Sequence, residues 1–194
     1  GGATTDCNPG SAKTVWFIGS LTQFGSQTTG LVFRMPGLPT NSPPATIYSG
    51  QTRSGTPPLA IALEDGRAFV LGENSFNGLG LPVPAASFVG GAGGPVQLPA
   101  AWGAARSFAT SFYYSLFVVR TDGTVKTSGY NSQDELGIGD TANGYRVDGP
   151  VDVLAESCAA TPCAAVLASM EMLVSNNSLS TLGLRNGRIY GWGS

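Results

Sequence analysis

One short phrase is written three times along the chain: Glu64-Asp65-Gly66-Arg67-Ala68-Phe69-Val70-Leu71-Gly72, Thr121-Asp122-Gly123-Thr124-Val125-Lys126-Thr127-Ser128-Gly129 and Arg185-Asn186-Gly187-Arg188-Ile189-Tyr190-Gly191-Trp192-Gly193. In every copy the closing glycine follows the turn glycine by six residues. A turn, a five-residue run and a glycine recurring at fixed internal spacing mark a repeat architecture, in which each unit buries its apolar surface against its neighbours.

Asp-Gly and Asn-Gly supply the positive φ angles that a two-residue hairpin turn demands, and β-prone runs flank each pair. Ile61-Ala62-Leu63, Leu116-Phe117-Val118-Val119 and Leu182-Gly183-Leu184 precede the turns, while Ala68-Phe69-Val70, Val125-Lys126-Thr127 and Ile189-Tyr190-Gly191 follow them. Each phrase therefore reads as a hairpin. Helical spacing is unconvincing throughout. The most helix-like stretch, Ala155 to Val174, is interrupted by Pro162 and reads as loop followed by strand. The chain is all-β.

Downstream of each closing glycine the frame continues. Gly72-Glu73-Asn74 leads to Leu79-Gly80, and Gly129-Tyr130-Asn131 leads to Leu136-Gly137, followed by Ile138-Gly139-Asp140. A degenerate fourth copy, Thr14-Val15-Trp16-Phe17-Ile18-Gly19-Ser20 followed by Phe24-Gly25, has Lys13 in place of the turn glycine. Pro95-Val96-Gln97-Leu98 and Pro150-Val151-Asp152-Val153-Leu154 read as the start of the lead into the next unit, continued by Ser107-Phe108-Ala109-Thr110 in one case. Closing glycines at 19, 72, 129 and 193 give periods of 53, 57 and 64 residues, long enough for four strands and their turns.

The pattern Asp-Gly-x-Val-x-x-x-Gly-x-Asn-x-x-x-x-Leu-Gly-x-Gly-Asp resembles the repeat of the regulator of chromosome condensation family. Residues 107–140 carry it best, 59–81 well, 182–194 as far as they go, and 14–25 weakly. Its frame residues here are Asp65, Gly66, Gly72, Asn74, Leu79 and Gly80; Asp122, Gly123, Gly129, Asn131, Leu136 and Gly137; and Asn186, Gly187, Trp192 and Gly193. The resemblance implies a β-propeller of four-stranded antiparallel blades, with about three blades of a seven-bladed ring in residues 1–194. The approximate repeat units are 14–72, 73–129 and 130–193. The family's usual histidine is replaced by Tyr114, and its tryptophan before the closing glycine survives only at Trp192. The ring is incomplete, so further blades of the same chain or another chain are expected to complete it.

Bulk properties narrow the chemistry. Charged residues are 11% and the formal net charge is −2, which gives no electrostatic footprint for a phosphate backbone and argues against nucleic-acid binding. Histidine is absent, removing the usual imidazole base and the commonest transition-metal ligand. With no apolar run of about 18 residues, direct membrane insertion is not expected. Three cysteines are too few for a disulfide scaffold. Cys158 and Cys163 bracket a short loop, either as a bridge that closes it or as two small buried thiols, and Cys7 has no partner in this segment.

Candidate chemistry is sparse. Gln133-Asp134-Glu135 with Asp140 imitates a calcium loop, but Leu136 stands where such a loop needs glycine. Gly90-Gly91-Ala92-Gly93-Gly94 lacks the Lys-Ser/Thr of a phosphate loop and reads as a flexible connector. Glu64, Asp65 and Glu73 could serve acid–base cleavage of a glycoside, yet Asp65 and Asp122 already have a duty in their turns. Strand propensity assigns most of Phe112-Tyr113-Tyr114 to the core between blades.

No cofactor and no enzymatic activity are expected. The leading reading is a protein-binding or structural scaffold whose variable rim loops, Gly50 to Pro58 and Met170 to Ser178, make the contacts. A guanine-nucleotide exchange regulator of a small GTPase is the alternative that the resemblance implies. A secreted ligand- or carbohydrate-binding propeller is the third. Low charge, two lysines, the Cys158/Cys163 pair and the Asn176 sequon lean towards an extracellular or cell-surface setting, whereas the family analogy implies nucleus or cytosol.

Overall fold

The computed structural model describes residues 14–18, 32–50, 58–81, 88–91, 93–139, 146–155, 165–175 and 180–193. Cys7, the tail of the first copy at Gly19 to Gly25, most of the 50–58 loop, Asp140, the Cys158/Cys163 pair and the Asn176 sequon lie outside them. The described strands are β1 (Trp16–Ile18), β2 (Val32–Arg34), β3 (Pro44–Ser49), β4 (Leu59–Leu63), β5 (Ala68–Glu73), β6 (Phe88–Val89), β7 (Val96–Gln97), β8 (Ala105–Ser111), β9 (Ser115–Arg120), β10 (Val125–Tyr130), β11 (Arg146–Asp152), β12 (Met172–Ser175), β13 (Ser180–Arg185) and β14 (Arg188–Gly193). Among the described residues the only helical turns are short 3-10 pieces at Ser75–Asn77 and Ala100–Trp102.

All pairings are antiparallel and mostly sequential. β3, β4 and β5 form one meander, with β6 and β7 both on the outer edge of β5; β8 to β11 form a second; β12 to β14 form a third; β1 pairs with β2. The sheets are successive blades of a partial β-propeller. They run out of phase with the sequence frame, because the fourth strand of each blade lies beyond the closing glycine. Val96-Gln97 and Val151-Asp152 accordingly finish the preceding blade, by pairing with β5 and β10. The expected lead into the next unit begins only after them, since nothing in a short apolar run reveals which neighbour it will pair with.

The turns also differ from expectation. In the first two copies the loop has three residues: the Gly66 N–H donates to Leu63 O and the Leu63 N–H to Arg67 O, with Gly123, Arg120 and Thr124 repeating the arrangement. Gly66 and Gly123 alone take positive φ, +85° and +82°, whereas Asp65 and Asp122 do not. This is a type I turn closed by a glycine bulge. Only Asn186 and Gly187, at +49° and +69°, form the expected two-residue turn, with Arg185 paired to Arg188. The third hairpin is therefore one residue shorter, which moves its register relative to the others.

Alternation along the inner strands builds the core between blades. From β4, Ala60 and Ala62 pack with Phe108, Leu116 and Val118 of the next blade, while Leu59, Ile61 and Leu63 pack with Val15 and Met35. From β9, Phe117 and Val119 turn the other way, onto Leu167, Met170 and Leu173. Both faces of a middle blade are thus covered, so its strands read as continuous apolar runs and do not alternate with polar residues. Full burial of a side chain such as Phe117 contributes about 1.5–3 kcal/mol.

Within the glycine run, Gly90 fits closely against Leu71 and Gly94 against Pro36. The Gly94 N–H closes a turn onto Gly91 O, and a Cβ on Gly37 would overlap the carbonyl of Gly93.

Candidate interaction rim

The frame residues hold the scaffold. Asn74 and Asn131 are buried, and each side-chain oxygen accepts the backbone N–H five residues on, from Leu79 at 2.8 Å and from Leu136 at 3.1 Å. Leu79 and Leu136 fill the core, and the glycine after each sits under an indole of the following unit. Trp102 covers Gly80, and Trp192 lies 2.9 Å from where a Cβ on Gly137 would stand.

Asp65 Oδ1 accepts the Arg67 N–H at 3.0 Å and its Oδ2 the guanidinium at 2.8 Å; Asp122 Oδ1 accepts the Thr124 N–H at 2.9 Å and its hydroxyl at 2.6 Å. The Arg67 side chain, chiefly, holds the Asp65 carboxyl below its ordinary value, as the Thr124 hydroxyl does for Asp122. Both carboxylates serve their own turns, as their sequence positions imply.

Glu135 folds back to accept the Gln133 N–H at 2.6 Å and is fully buried. Among the described residues no three His, Cys, Asp or Glu side chains converge to hold a metal, and no helix is long and apolar enough to cross a membrane.

The feature that sequence reasoning misplaced is the aromatic run. Phe112, Tyr113 and Tyr114 form the turn between β8 and β9, and all three are half-buried, outside the core between blades. The Tyr114 N–H donates to Ser111 O at 3.3 Å and Tyr114 takes φ +64°, the place that Gly66 and Gly123 hold in the other three-residue turns. For an L-residue the left-handed region costs roughly 1–2 kcal/mol. Bulky residues there are genuine outliers.

The surroundings fix this turn. Tyr114 O accepts the Tyr130 N–H at 3.3 Å, a Cβ on Gly129 would overlap that oxygen, and one on Gly78 would lie 2.5 Å from it. The two glycines make room for the tyrosine carbonyl.

From the preceding blade comes Phe76, also strained at φ +54° and 40% exposed. Its ring lies 5.8 Å from Tyr114 and 5.1 Å from Tyr130; Tyr113 stacks on Tyr130 at 6.0 Å and meets Phe112 edge-on at 5.4 Å. Asn77, next to Phe76 and likewise at positive φ, donates to Asp148 Oδ1 at 2.8 Å, tying the Phe76 segment to β11. Five aromatic rings from two blades thus form one half-exposed surface. It lies at the blade end opposite the Asp-Gly turns, the end at which β3 stops at Ser49 and β12 at Ser175. A short aromatic turn was readable in the sequence only by noticing that Phe112 to Tyr114 link two strands of one hairpin.

No protein-family model matches the chain, and no curated protein matches its sequence. Solved structures do. Human WBSCR16 superposes with a TM-score of 0.65 at 15% identity over 94% of this chain and 43% of that one. Yeast RCC1 (Prp20) bound to Kap60 gives 0.63 at 17% identity over 88% and 34%, and Prp20p from Saccharomyces cerevisiae, described with its binding to Gsp1p and histones, gives 0.63 at 17% over 88% and 35%. The chain thus spans less than half the length of each. At this identity the likeness establishes the fold: the repeats form part of an RCC1-like β-propeller.

Proposed function

We propose that the chain is a non-catalytic, protein-binding part of a propeller, and that its partner engages the rim formed by Phe76, Phe112, Tyr113, Tyr114 and Tyr130. The observation that carries this reading is the strained, half-exposed aromatic cluster joining two blades. Backbone strain that the surroundings hold in place is characteristic of functional surfaces, and aromatic residues are enriched where proteins bind. The neighbour crystallised with Kap60 supports a protein partner for this fold. Lack of histidine removes the commonest general base.

The test is to measure binding of candidate protein partners to the intact protein and to a Phe76→Ala/Tyr113→Ala variant. Loss of binding with the urea midpoint essentially retained supports the rim, and unchanged binding rejects it. A second reading, nucleotide exchange on a small GTPase, is favoured by the neighbour described with its binding to Gsp1p. Its test is release of labelled guanine nucleotide across a panel of small GTPases. For the setting we propose an extracellular or cell-surface location, tested by peptide mapping for glycan on Asn176.

A further inference from the structure

The aromatic rim is edged by carboxylates. Ser75 and Asn77, the chain neighbours of Phe76, each hold one: the Ser75 hydroxyl donates to Glu73 Oε1, and the Asn77 amide donates to Asp148 Oδ1 at 2.8 Å. Glu73 is the last residue of β5, and Asp148 stands on β11 two residues beyond Arg146, the ladder partner of Tyr130. The segment that presents the Phe76 ring is thus tied to one carboxylate of its own blade and one of the next. Asp148 is exposed, as is Asp134, four residues after Tyr130.

Charge is divided between the two ends of the blades. Arg67, Arg120, Lys126, Arg185 and Arg188 flank the hairpin turns, where Arg67, Arg120 and Lys126 pair with Asp65, Asp122 and Asp152. Arg106 joins them there by donating to the carbonyls of Met170 and Glu171. At the aromatic end the described strands and turns place Glu73, Asp134 and Asp148 against Arg146. The rings therefore sit in an excess of negative charge. Their geometry is not that of a flat stacking platform, since Phe76 meets Tyr114 at 35° and Tyr130 at 68°, and Phe112 meets Tyr113 at 78°. Differently directed π faces beside carboxylates suit a cation, which is attracted within about 6 Å of a ring centroid. A guanidinium suits them best, because it is weakly hydrated, stacks on aromatic faces and still offers N–H groups in its plane to carboxylates.

We propose that the rim of Phe76, Tyr113, Tyr114 and Tyr130, edged by Glu73 and Asp148, binds an arginine-bearing segment of a partner protein. The inference rests on the protein-binding reading of this rim and names the chemistry of the partner. A guanidinium stacks on the rings while its N–H groups donate to the two carboxylates. An acidic segment is repelled, and a purely apolar one strips water from Glu73 and Asp148 without replacing it by a donor. The same negative field draws a basic segment towards this end of the blades and away from the turn end, where the arginines stand.

Fluorescence anisotropy on the intact protein tests it, with a labelled glycine-serine peptide carrying spaced arginines and matched peptides carrying citrulline or glutamate instead. The arginine peptide is expected to bind at low ionic strength and to weaken as salt is added. Its affinity should fall about fivefold or more in Glu73→Gln/Asp148→Asn, and about tenfold or more in Phe76→Ala/Tyr113→Ala. The amides of the first variant keep acceptors for Ser75 and Asn77, so its urea midpoint should stay that of the parent. Citrulline or glutamate peptides that bind as tightly as the arginine peptide overturn the proposal. Glu64→Gln/Glu171→Gln removes the same charge at the turn end; an equal loss there means general attraction to an acidic chain and also overturns it. A protein partner lost with Phe76→Ala/Tyr113→Ala but kept by Glu73→Gln/Asp148→Asn overturns the arginine chemistry and leaves the rim standing. A partner kept by both variants overturns both readings.

Discussion

The indole of Trp102 donates its Nε1 hydrogen to the carbonyl of Gly80 at 3.1 Å, across 22 residues and the boundary between two blades. Trp102 is fully buried, and Gly80 takes φ +65° beneath it. One contact thus joins the repeat glycine, its left-handed backbone and the seal between units. Gly137 under Trp192 repeats the packing one blade on.

Gly80→Ala is therefore expected to destabilise strongly. The Cβ would overlap the indole, and left-handed strain with overpacking together cost about 2–5 kcal/mol. Gly187→Ala carries the strain without any described neighbour and costs about 1–2 kcal/mol. Urea unfolding of the two variants checks the order, and an equal loss would contradict the packing argument.

Asn131→Ala removes the acceptor for the buried Leu136 N–H. An unsatisfied buried donor costs about 1–3 kcal/mol, so the variant should unfold at clearly lower urea than the parent. Asn74→Ala is expected to match it, because the same bond to Leu79 recurs there.

Acid sensitivity has a definite sign. Asp65 and Asp122 have folded-state values lowered from 3.8, so their stabilisation is present above that value and is lost as pH falls through the lower folded values. Asp65→Ala/Asp122→Ala should flatten the fall in stability as pH drops below about 4. Both groups are largely solvent-facing, which keeps the effect small. Melting midpoints of the two proteins between neutral and acid pH make the comparison, and identical acid slopes would show that these turns bear none of it.

Tyr114→Gly separates stability from binding. Relief of left-handed strain, roughly 1–2 kcal/mol, offsets loss of the ring contact with Phe76, about 0.5–1.5 kcal/mol. The unfolding free energy is expected to stay within about 1 kcal/mol, while affinity for a rim partner drops about tenfold or more. Weakened binding accompanied by a large stability loss would instead make Tyr114 a structural residue.

Local chemistry was legible in the sequence because it needs only neighbours. Glycine at a left-handed turn position and asparagine at fixed spacing act within a few residues, so Gly66, Gly123 and Asn131 marked the repeat unaided, although the first two hairpins close as three-residue turns in which aspartate keeps a negative φ. The tertiary structure decided what depends on partners distant along the chain. It assigned Val96-Gln97 and Val151-Asp152 to the preceding blades, since pairing partners are chosen by the edge that is open. It moved Phe112, Tyr113 and Tyr114 from core to rim, since aromatic propensity does not distinguish a strand from the turn that joins two. And it left Leu182 and Ile189 bare while burying Phe117 and Val125 in equivalent positions, because burial in a repeat protein belongs to the next unit along and not to the residue itself.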